Sequence, residues 1–470
     1  MQNLYESCYH LDKRCYQEYN LTEDILMEHA SLGMAKYIQA NFAPDSTLLI
    51  VAGVGNNGAD GIVLARQLFG EYRVRLYLPF GVKSTMAKTQ YQRIKQLGVT
   101  VVDTLIKSDI IVDALFGAGL SRGLDTPTQT LIQEINHLQG FKIACDTPTG
   151  ISQDGTPLPL AFQADITITM GALKESLYAD SAKEFVGEIL CVDLGVARKL
   201  YELPTETYLL ETKDIKLPSR IDQTTHKGSF GHLAVFSGNK EGASILSAMA
   251  SLRFGVGLTT IVGEPSSQLP YSIMQDSKLP YNTTAIAFGM GFGTEYNNDR
   301  VQSILNSNLP IILDADIFYT PLIKDFLQQT QRAIILTPHP KEFVSLWKIL
   351  FDKEITVSFL QANRLKFVRQ FCSHYPEVTL ILKGANSIIA HNKRCYINPL
   401  GSSRLSKGGS GDVLSGLIGA LLAQGYSSID SAISASLALT LATQQYRGSS
   451  YSMLPTDIIK EVEKLEERPL

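Results

Sequence analysis

Lys407-Gly-Gly-Ser-Gly-Asp412, running into Val413-Leu-Ser-Gly-Leu-Ile-Gly-Ala-Leu-Leu422, joins a glycine-rich turn, one carboxylate and the start of an apolar helix. Gly408, Gly409 and Gly411 let the backbone approach an anion closely, and the helix aims its free N–H groups and positive dipole end at it. The pattern predicts a phosphate site. Asp412 stands where a carboxylate would take the proton from a hydroxyl attacking the bound phosphoryl group. An isolated Gly-Ser-Gly-Asp reads more simply as a turn with Asp412 for an N-cap. The weight therefore falls on the rest of the chain.

Gly53-Val-Gly-Asn56-Asn57-Gly58-Ala59-Asp60-Gly61 again sets a glycine-rich turn between an apolar run and a helical pattern, with two amides and an acid that a tight turn does not need. Its spacing is not the G-x-G-x-x-G of a dinucleotide fingerprint. Asp113, in Ile111-Val-Asp113-Ala-Leu-Phe-Gly117, and Asp146, in Ile143-Ala-Cys-Asp146-Thr-Pro-Thr149-Gly150, each close an apolar run. Open α/β sheets bind ligands outside the carboxyl ends of their strands, so three loops are expected to meet in one crevice. Each Asp taken alone reads equally as a turn or helix cap.

The elements that hold these loops show as an alternation. Runs rich in Val and Ile at Leu48–Ala52, Val74–Leu78, Ile110–Val112, Lys142–Cys145, Ile166–Thr169 and Ile189–Val192 are separated by helical patterns, as buried parallel strands are by crossover helices. Glu23–Ala40 has helical spacing and is expected to pack on that sheet. Between Gly195 and Arg220 the alternation lapses around Pro204 and Pro218, and the domain boundary is placed there. It resumes with His232–Phe236, Thr259–Val262, Thr284–Ala287, Ile311–Leu313, Ile334–Thr337 and Thr379–Leu382. The predicted class is α/β, in two domains spanning 1–210 and 211–470.

A chain of 470 residues exceeds what one core serves. With 42 basic and 46 acidic residues its net charge is −4, which speaks against a nucleic-acid partner or an acidic tail. The six cysteines are scattered without a C-x-x-C pair, so neither structural zinc nor a disulfide framework is expected, and a reducing cytoplasm is. Neither a basic-then-apolar leader nor an apolar stretch of bilayer length is present, so no membrane association is expected.

The first-half motifs, with Leu26-Met-Glu-His-Ala30, resemble the signature of the NAD(P)H-hydrate epimerase domain, a Rossmann-like layered parallel sheet. The resemblance implies that Asn57, Asp113 and Thr149 hold a potassium ion, a hard cation suited to oxygen ligands. It implies that Asn56, Asn57, Gly58, Ala59 and Asp60, with Gly117, Ala118, Gly119, Leu120, Ser121, Arg122 and Gly123, contact the dinucleotide. Asp146 would face the hydroxylated ring as the acid or base. Ala59 stands where the family usually has glycine, which would restrict backbone approach to a phosphate, and Thr149 stands where serine is usual.

In the second half His226-Lys-Gly-Ser-Phe-Gly231, Gly238, Gly242-Ala243, Gly289-Met-Gly-Phe-Gly293, Asp314-Ala-Asp316, His339-Pro-Lys-Glu342, Lys383-Gly-Ala-Asn-Ser387, Asn398 and the Gly-Ser-Gly-Asp turn follow in order. His226 and His339 taken singly read as capping or core histidines. Together the motifs resemble the ribokinase-like α/β/α superfamily, and within it the ADP-dependent NAD(P)H-hydrate dehydratases. That resemblance implies that Ala243, Gly291, His339 and Asp412 line the hydrate site, and that Lys383, Gly384, Ala385, Asn386, Ser387 and Gly411 hold ADP with magnesium. Met290 stands where proline is common. The implied function is repair of hydrated NADH and NADPH (NADHX and NADPHX): epimerisation of the R and S forms, then ADP-driven dehydration of S to NAD(P)H, AMP and phosphate. A homo-oligomer is expected. The turn alone also fits a small-molecule kinase that phosphorylates an alcohol and stops, and the first domain alone fits a nucleotide-binding scaffold.

Overall fold

Uninterrupted runs of Val, Ile and Leu have no solvent-facing side, and they become the inner strands of two parallel sheets. The computed structural model describes residues 1–120, 122–293, 299–329 and 331–465. The chain divides into two units, Gln2–Thr205 and Glu206–Leu470, the latter with Met1. The division falls slightly before the expected 210/211 boundary because Thr207–Leu209 pair with Arg394–Asn398 of the second unit.

The first unit opens with β1 (Gln2–Tyr5), α1 (Tyr9–Glu18) and α2 (Glu23–Asn41). Then follow β2 (Thr47–Ala52), α3 (Asn56–Leu68), β3 (Arg73–Tyr77), α4 (Thr85–Leu97) and β4 (Thr100–Val102). The rest is β5 (Ile110–Ala114), α5 (Thr126–His137), β6 (Phe141–Cys145), β7 (Ile166–Met170), β8 (Leu173–Lys174), α6 (Lys183–Val186), β9 (Glu188–Val192) and α7 (Arg198–Tyr201). The sheet order is β4-β3-β2-β5-β6-β7-β9, all parallel. The chain winds outward one way from β2 and the other way from β5, so the strand order reverses between them and a crevice opens there. Alternate residues of β2 feed two layers. Leu48, Ile50 and Ala52 pack with Ile62 and Ile94, whereas Leu49 and Val51 pack with Leu131 and Ile135. Beside this sheet β1 pairs with β8, and Tyr5, Leu11, Cys15, Leu26, Ala172 and Tyr201 form a small separate core that seats α1.

The second unit begins with β10 (Thr207–Leu209), β11 (His232–Phe236), α8 (Glu241–Arg253), β12 (Leu258–Val262), β13 (Met274–Asp276) and β14 (Ala285–Phe288). Next come α9 (Asp299–Leu305), β15 (Ile311–Leu313), α10 (Ile323–Leu327), β16 (Ile334–Leu336), α11 (Pro340–Phe351), α12 (Val357–Ala362) and α13 (Arg364–His374). It ends with β17 (Val378–Leu382), β18 (Ser387–His391), β19 (Arg394–Asn398), α14 (Ser410–Ala423), α15 (Ser428–Gln445) and α16 (Pro455–Val462). Its sheet runs β13-β12-β11-β14-β15-β16-β17-β18-β19-β10, parallel as far as β17, with β18 antiparallel to both neighbours. The order reverses between β11 and β14, so this unit repeats the double winding of the first. Helix α14 is buried along nearly its whole length against α8 and α15, which explains its all-round apolar sequence. All six cysteines are free thiols; Cys8, Cys15, Cys145, Cys372 and Cys395 are buried and Cys191 is partly exposed. Among the described residues no helix is long and apolar enough to cross a membrane.

Candidate active sites

In the first unit the loops after β2, β5 and β6 meet over the β2–β5 reversal and line a cavity of about 630 Å³. The loop after β2 turns back so tightly that side chains are excluded. A Cβ on Gly53 would lie 2.0 Å from the Leu115 carbonyl oxygen, and one on Gly58 would lie 1.9 Å from that of Gly53. Asn56, Asn57 and Asp60 line the cavity, as do Gly117, Ala118, Gly119, Leu120 and Arg122 from the loop after β5. Gly58 and Ala59 lie beneath it. The Ala59 methyl is packed into the core with Ile62 and Val63, so its replacement of glycine leaves the cavity wall untouched. Gly123 is exposed away from the lining, and Ser121 falls outside the described residues.

Asp146 ends β6 with a left-handed φ of 67°, which turns its carboxylate into the cavity. Its Oδ1 accepts from Lys174 Nζ at 2.6 Å and Met170 N at 3.1 Å, and its Oδ2 from Ala118 N at 3.4 Å. Burial pushes this carboxyl up, but the Lys174 ammonium and the two backbone N–H groups more than offset it and hold Asp146 below its ordinary value. Lys174 also donates to Thr169 Oγ1 at 2.7 Å. It escaped the sequence reading because it sits on a two-residue strand; the only sign was a lysine inside the small apolar run Gly171-Ala-Leu-Lys174. Asp12 of α1 and Cys8 line the cavity too, and Tyr201 donates its hydroxyl to Asp12 Oδ1 at 2.7 Å.

Asp113 and Thr149 lie just behind the wall. Thr149 gives its N–H to Asp113 Oδ2 at 2.8 Å and its hydroxyl to Oδ1 at 2.7 Å, and Leu115 N adds a third bond at 3.1 Å. Burial nonetheless raises the Asp113 carboxyl to about 6, with no basic side chain opposing it. Asn57 Nδ2 is buried without a partner, and the Asn57 amide abuts Gly117, where a Cβ would come within 2.9 Å of its Oδ1. A buried carboxylate lacking a counter-charge, with the Thr149 hydroxyl and the Asn57 amide to supply further oxygens, is a donor set that a monovalent hard cation fits.

In the second unit the Gly289–Gly293 loop crosses the β11–β14 reversal with φ values of 110°, 62° and 90° at Gly289, Gly291 and Gly293. Gly291 O accepts from Lys240 N at 3.0 Å, and a Cβ on Gly291 would sit 3.2 Å from that of Ala243, so these two predicted residues come together. Gly293 N donates to Asp316 Oδ2 at 2.9 Å, tying the loop to the end of β15. There Asp314 is the hub. Its Oδ1 accepts from Lys383 Nζ at 2.8 Å and its Oδ2 from Ser415 of α14 at 2.7 Å. Lys383 lies 3.7 Å from Glu342 Oε2 as well, and a Cβ on Gly411 would stand 3.4 Å from its Nζ. His339 caps α11, its Nδ1 accepting from Lys341 N at 3.1 Å and Glu342 N at 3.3 Å, and His226 makes the same kind of cap to Gly228 N at 3.1 Å.

Gly409 starts α14 in the left-handed region, φ 97°, and Ser410 Oγ is buried there without a partner. Asp412 is in the first turn. Burial, then the nearby Asp314 charge, raise its carboxyl to about 6 against the pull of Lys383. The Lys383–Ser387 loop has Gly384 and Ala385 exposed and Asn386 buried. It is held from below by Arg364 of α13, which donates to the carbonyls of Asn386 at 3.0 Å, Leu382 at 2.9 Å and Lys383 at 3.0 Å. Arg364 escaped the sequence reading because nothing local marks it among the other basic residues of its helix. Asn398 serves the frame, donating to Ser436 and Thr440 of α15. Among the described residues no group of three or more His, Cys, Asp or Glu is placed to hold a metal.

A cavity with an ion-paired carboxylate in one α/β unit, and a glycine-rich turn with a half-buried carboxylate at a helix start in the other, define an enzyme of nucleotide chemistry. The family described as NAD(P)H-hydrate dehydratase matches residues 233–464, and that described as YjeF-related protein N-terminus matches residues 23–176. The bifunctional NAD(P)H-hydrate repair enzyme of Helicobacter pylori is 38% identical over 99% of this chain and 100% of its own length. That of Coxiella burnetii is 31% identical over 95% of each. Among solved structures, the ADP/ATP-dependent NAD(P)H-hydrate dehydratase of Bacillus subtilis, co-crystallised with ATP and Mg²⁺, is similar over 53% of this chain and 92% of that one, with 24% identity and a TM-score of 0.44. The chain belongs to the family of bifunctional NAD(P)H-hydrate repair enzymes.

Proposed function

We infer that the chain repairs hydrated NADH and NADPH, the first unit interconverting the R and S hydrates and the second dehydrating the S form with ADP. The observation that supports this most is the full-length likeness to repair enzymes in a chain whose two units each build a site at a strand-order reversal.

In the first unit the low, ion-paired Asp146 is the base that addresses the hydroxylated ring, with Asn56, Asp60 and the Gly117–Leu120 loop along the dinucleotide. Potassium would be held by Asn57, Asp113 and Thr149, where it supplies the positive charge that buried Asp113 lacks. In the second unit Asp412 takes the proton from the ring hydroxyl as it attacks the terminal phosphoryl group of ADP. The Gly408–Gly411 turn, the first N–H groups of α14 and the Ser410 hydroxyl would steady that group. Magnesium would arrive with the nucleotide phosphates, neutralising charge as the phosphoryl group transfers, with Glu342 near enough to the cluster to serve it. Loss of phosphate then restores the dihydronicotinamide. Recovery of reduced-nicotinamide absorbance from a mixture of both hydrates, with ADP and ATP supplied in turn, tests the reading. A stable phosphorylated product with no absorbance recovery would make the second unit a kinase.

A further inference from the structure

Within the cavity of the first unit three carboxylates, Asp12, Asp60 and Asp146, face one another across the lining, yet Lys174 is already engaged by Asp146 and Thr169. Arg122 lies exposed at the rim. Asp146 is fully supplied with donors, and Asp12 receives the Tyr201 hydroxyl. The Asp60 carboxyl, in the first turns of α3, accepts no hydrogen bond from the described residues. Three negative charges gathered around one committed ammonium cannot all persist; burial raises Asp12 as well, but the Tyr201 hydroxyl and Lys174 pull it back, and the carboxyl without a partner is the one that keeps a proton.

We propose that Asp60 is the proton donor of the epimerisation, paired with Asp146 as the proton acceptor, and that Asp12 is a positioning residue whose charge keeps the proton on Asp60. This rests on the epimerase reading of the first unit. The groups facing Asp60 agree with the assignment: burial, then Asp146, Asp12 and Glu23 at the start of α2, hold it well above the usual carboxylate range, while Asp146 is held low. Tyr16 of α1 and Cys145 of β6 also feel its charge, and both are raised by burial and so stay neutral.

The hydrated ring carries its hydroxyl on a carbon bonded to the ring nitrogen, so inverting that carbon is redox-neutral. Asp146 takes the hydroxyl proton, the C–O bond becomes C=O, and the C–N bond breaks with its electron pair passing to nitrogen. Asp60 gives that nitrogen a proton. Rotation of the aldehyde and reversal of both transfers close the ring on the opposite face: the nitrogen proton returns to Asp60, the new alkoxide takes back its proton from Asp146, and nothing is consumed.

The test uses the full chain and the purified R hydrate, following appearance of S chromatographically across pH. Asp60→Asn keeps size but holds no acidic proton, and is expected to lower kcat about 10²- to 10⁴-fold with KM within a few-fold, while Asp60→Glu recovers part of the loss. Asp12→Asn removes a charge that raises Asp60, so the alkaline limb of the profile is expected to move to lower pH with kcat kept on the acid side. An Asp60→Asn variant with parental kcat, or a raised KM alone, overturns the assignment, as does an unmoved alkaline limb in Asp12→Asn. Failure of the parent chain to interconvert the epimers while still dehydrating S would instead remove the epimerase reading on which the assignment rests.

Discussion

Asp412 and Asp146 are carboxylates of one type whose surroundings set them at different poise. Asp412 is lifted to about 6 by burial and Asp314, so it is mostly ionised at neutral pH and still basic enough to take a proton. Below that value it is protonated and idle, and dehydration is therefore expected to fall as pH drops through about 6. Asp412→Asn should lower the dehydration rate about 10²- to 10⁴-fold at unchanged stability; a rate within a few-fold of the parent would remove Asp412 from the base role. Asp146 depends on its cation instead. With side chains only 4% and 16% exposed, Lys174 and Asp146 form a buried pair, and Lys174→Met should cost about 3–5 kcal/mol in denaturant unfolding of the first unit while epimerisation is lost. At this scale the sequence displayed the acids, because Asp146 ends an apolar run and Asp412 stands between a glycine-rich turn and an apolar helix. It hid Lys174 and Arg364, whose partners are brought together only by folding.

The inner strands were legible for a physical reason: a strand covered on both faces is apolar throughout, and β2, β5, β11 and β15 read that way. Those missed are short or lie at sheet edges, where β4 and β13 keep exposed residues, or form the hairpin of β18 and β19, whose turn needs left-handed Asn392 and Lys393 at φ 46° and 69°. Helix α2 was placed by its spacing, yet Ile25 and Leu32 in it remain exposed. Loops crossing the reversals make a paired prediction. A Cβ on Gly238 would lie 2.3 Å from the Phe292 backbone, whereas Gly242, in α8, has open space. Thermal unfolding should show Gly238→Ala clearly destabilised and Gly242→Ala unchanged or stabilised by up to about 1 kcal/mol, because alanine suits a helix better. Equal midpoints for the two variants would mean that the Gly238 crossing has slack.

Across the whole molecule, two doubly wound sheets each build a proposed site at their own strand-order reversal, so the activities should separate. Asp113→Ala removes the carboxylate of the proposed potassium site and is expected to abolish epimerisation and its potassium dependence while pure S hydrate is still dehydrated at the parental rate. Given both hydrates, the parent should consume all of the mixture and the variant should stall once S is exhausted, apart from slow spontaneous interconversion. Draining of R at the parental rate would show that the cation site lies elsewhere or is not needed.

The cysteines supply an unplanned instrument. Since Cys15, Cys145, Cys372 and Cys395 are buried, a thiol-reactive dye should mark folded protein at the partly exposed Cys191 and at Cys8 on the cavity wall, and reach the other four only where the fold opens. Cys15 and Cys145 then clock opening of the first unit, and Cys372 and Cys395 that of the second. Peptide mapping of dye uptake over time would give each unit its own opening rate from unaltered protein.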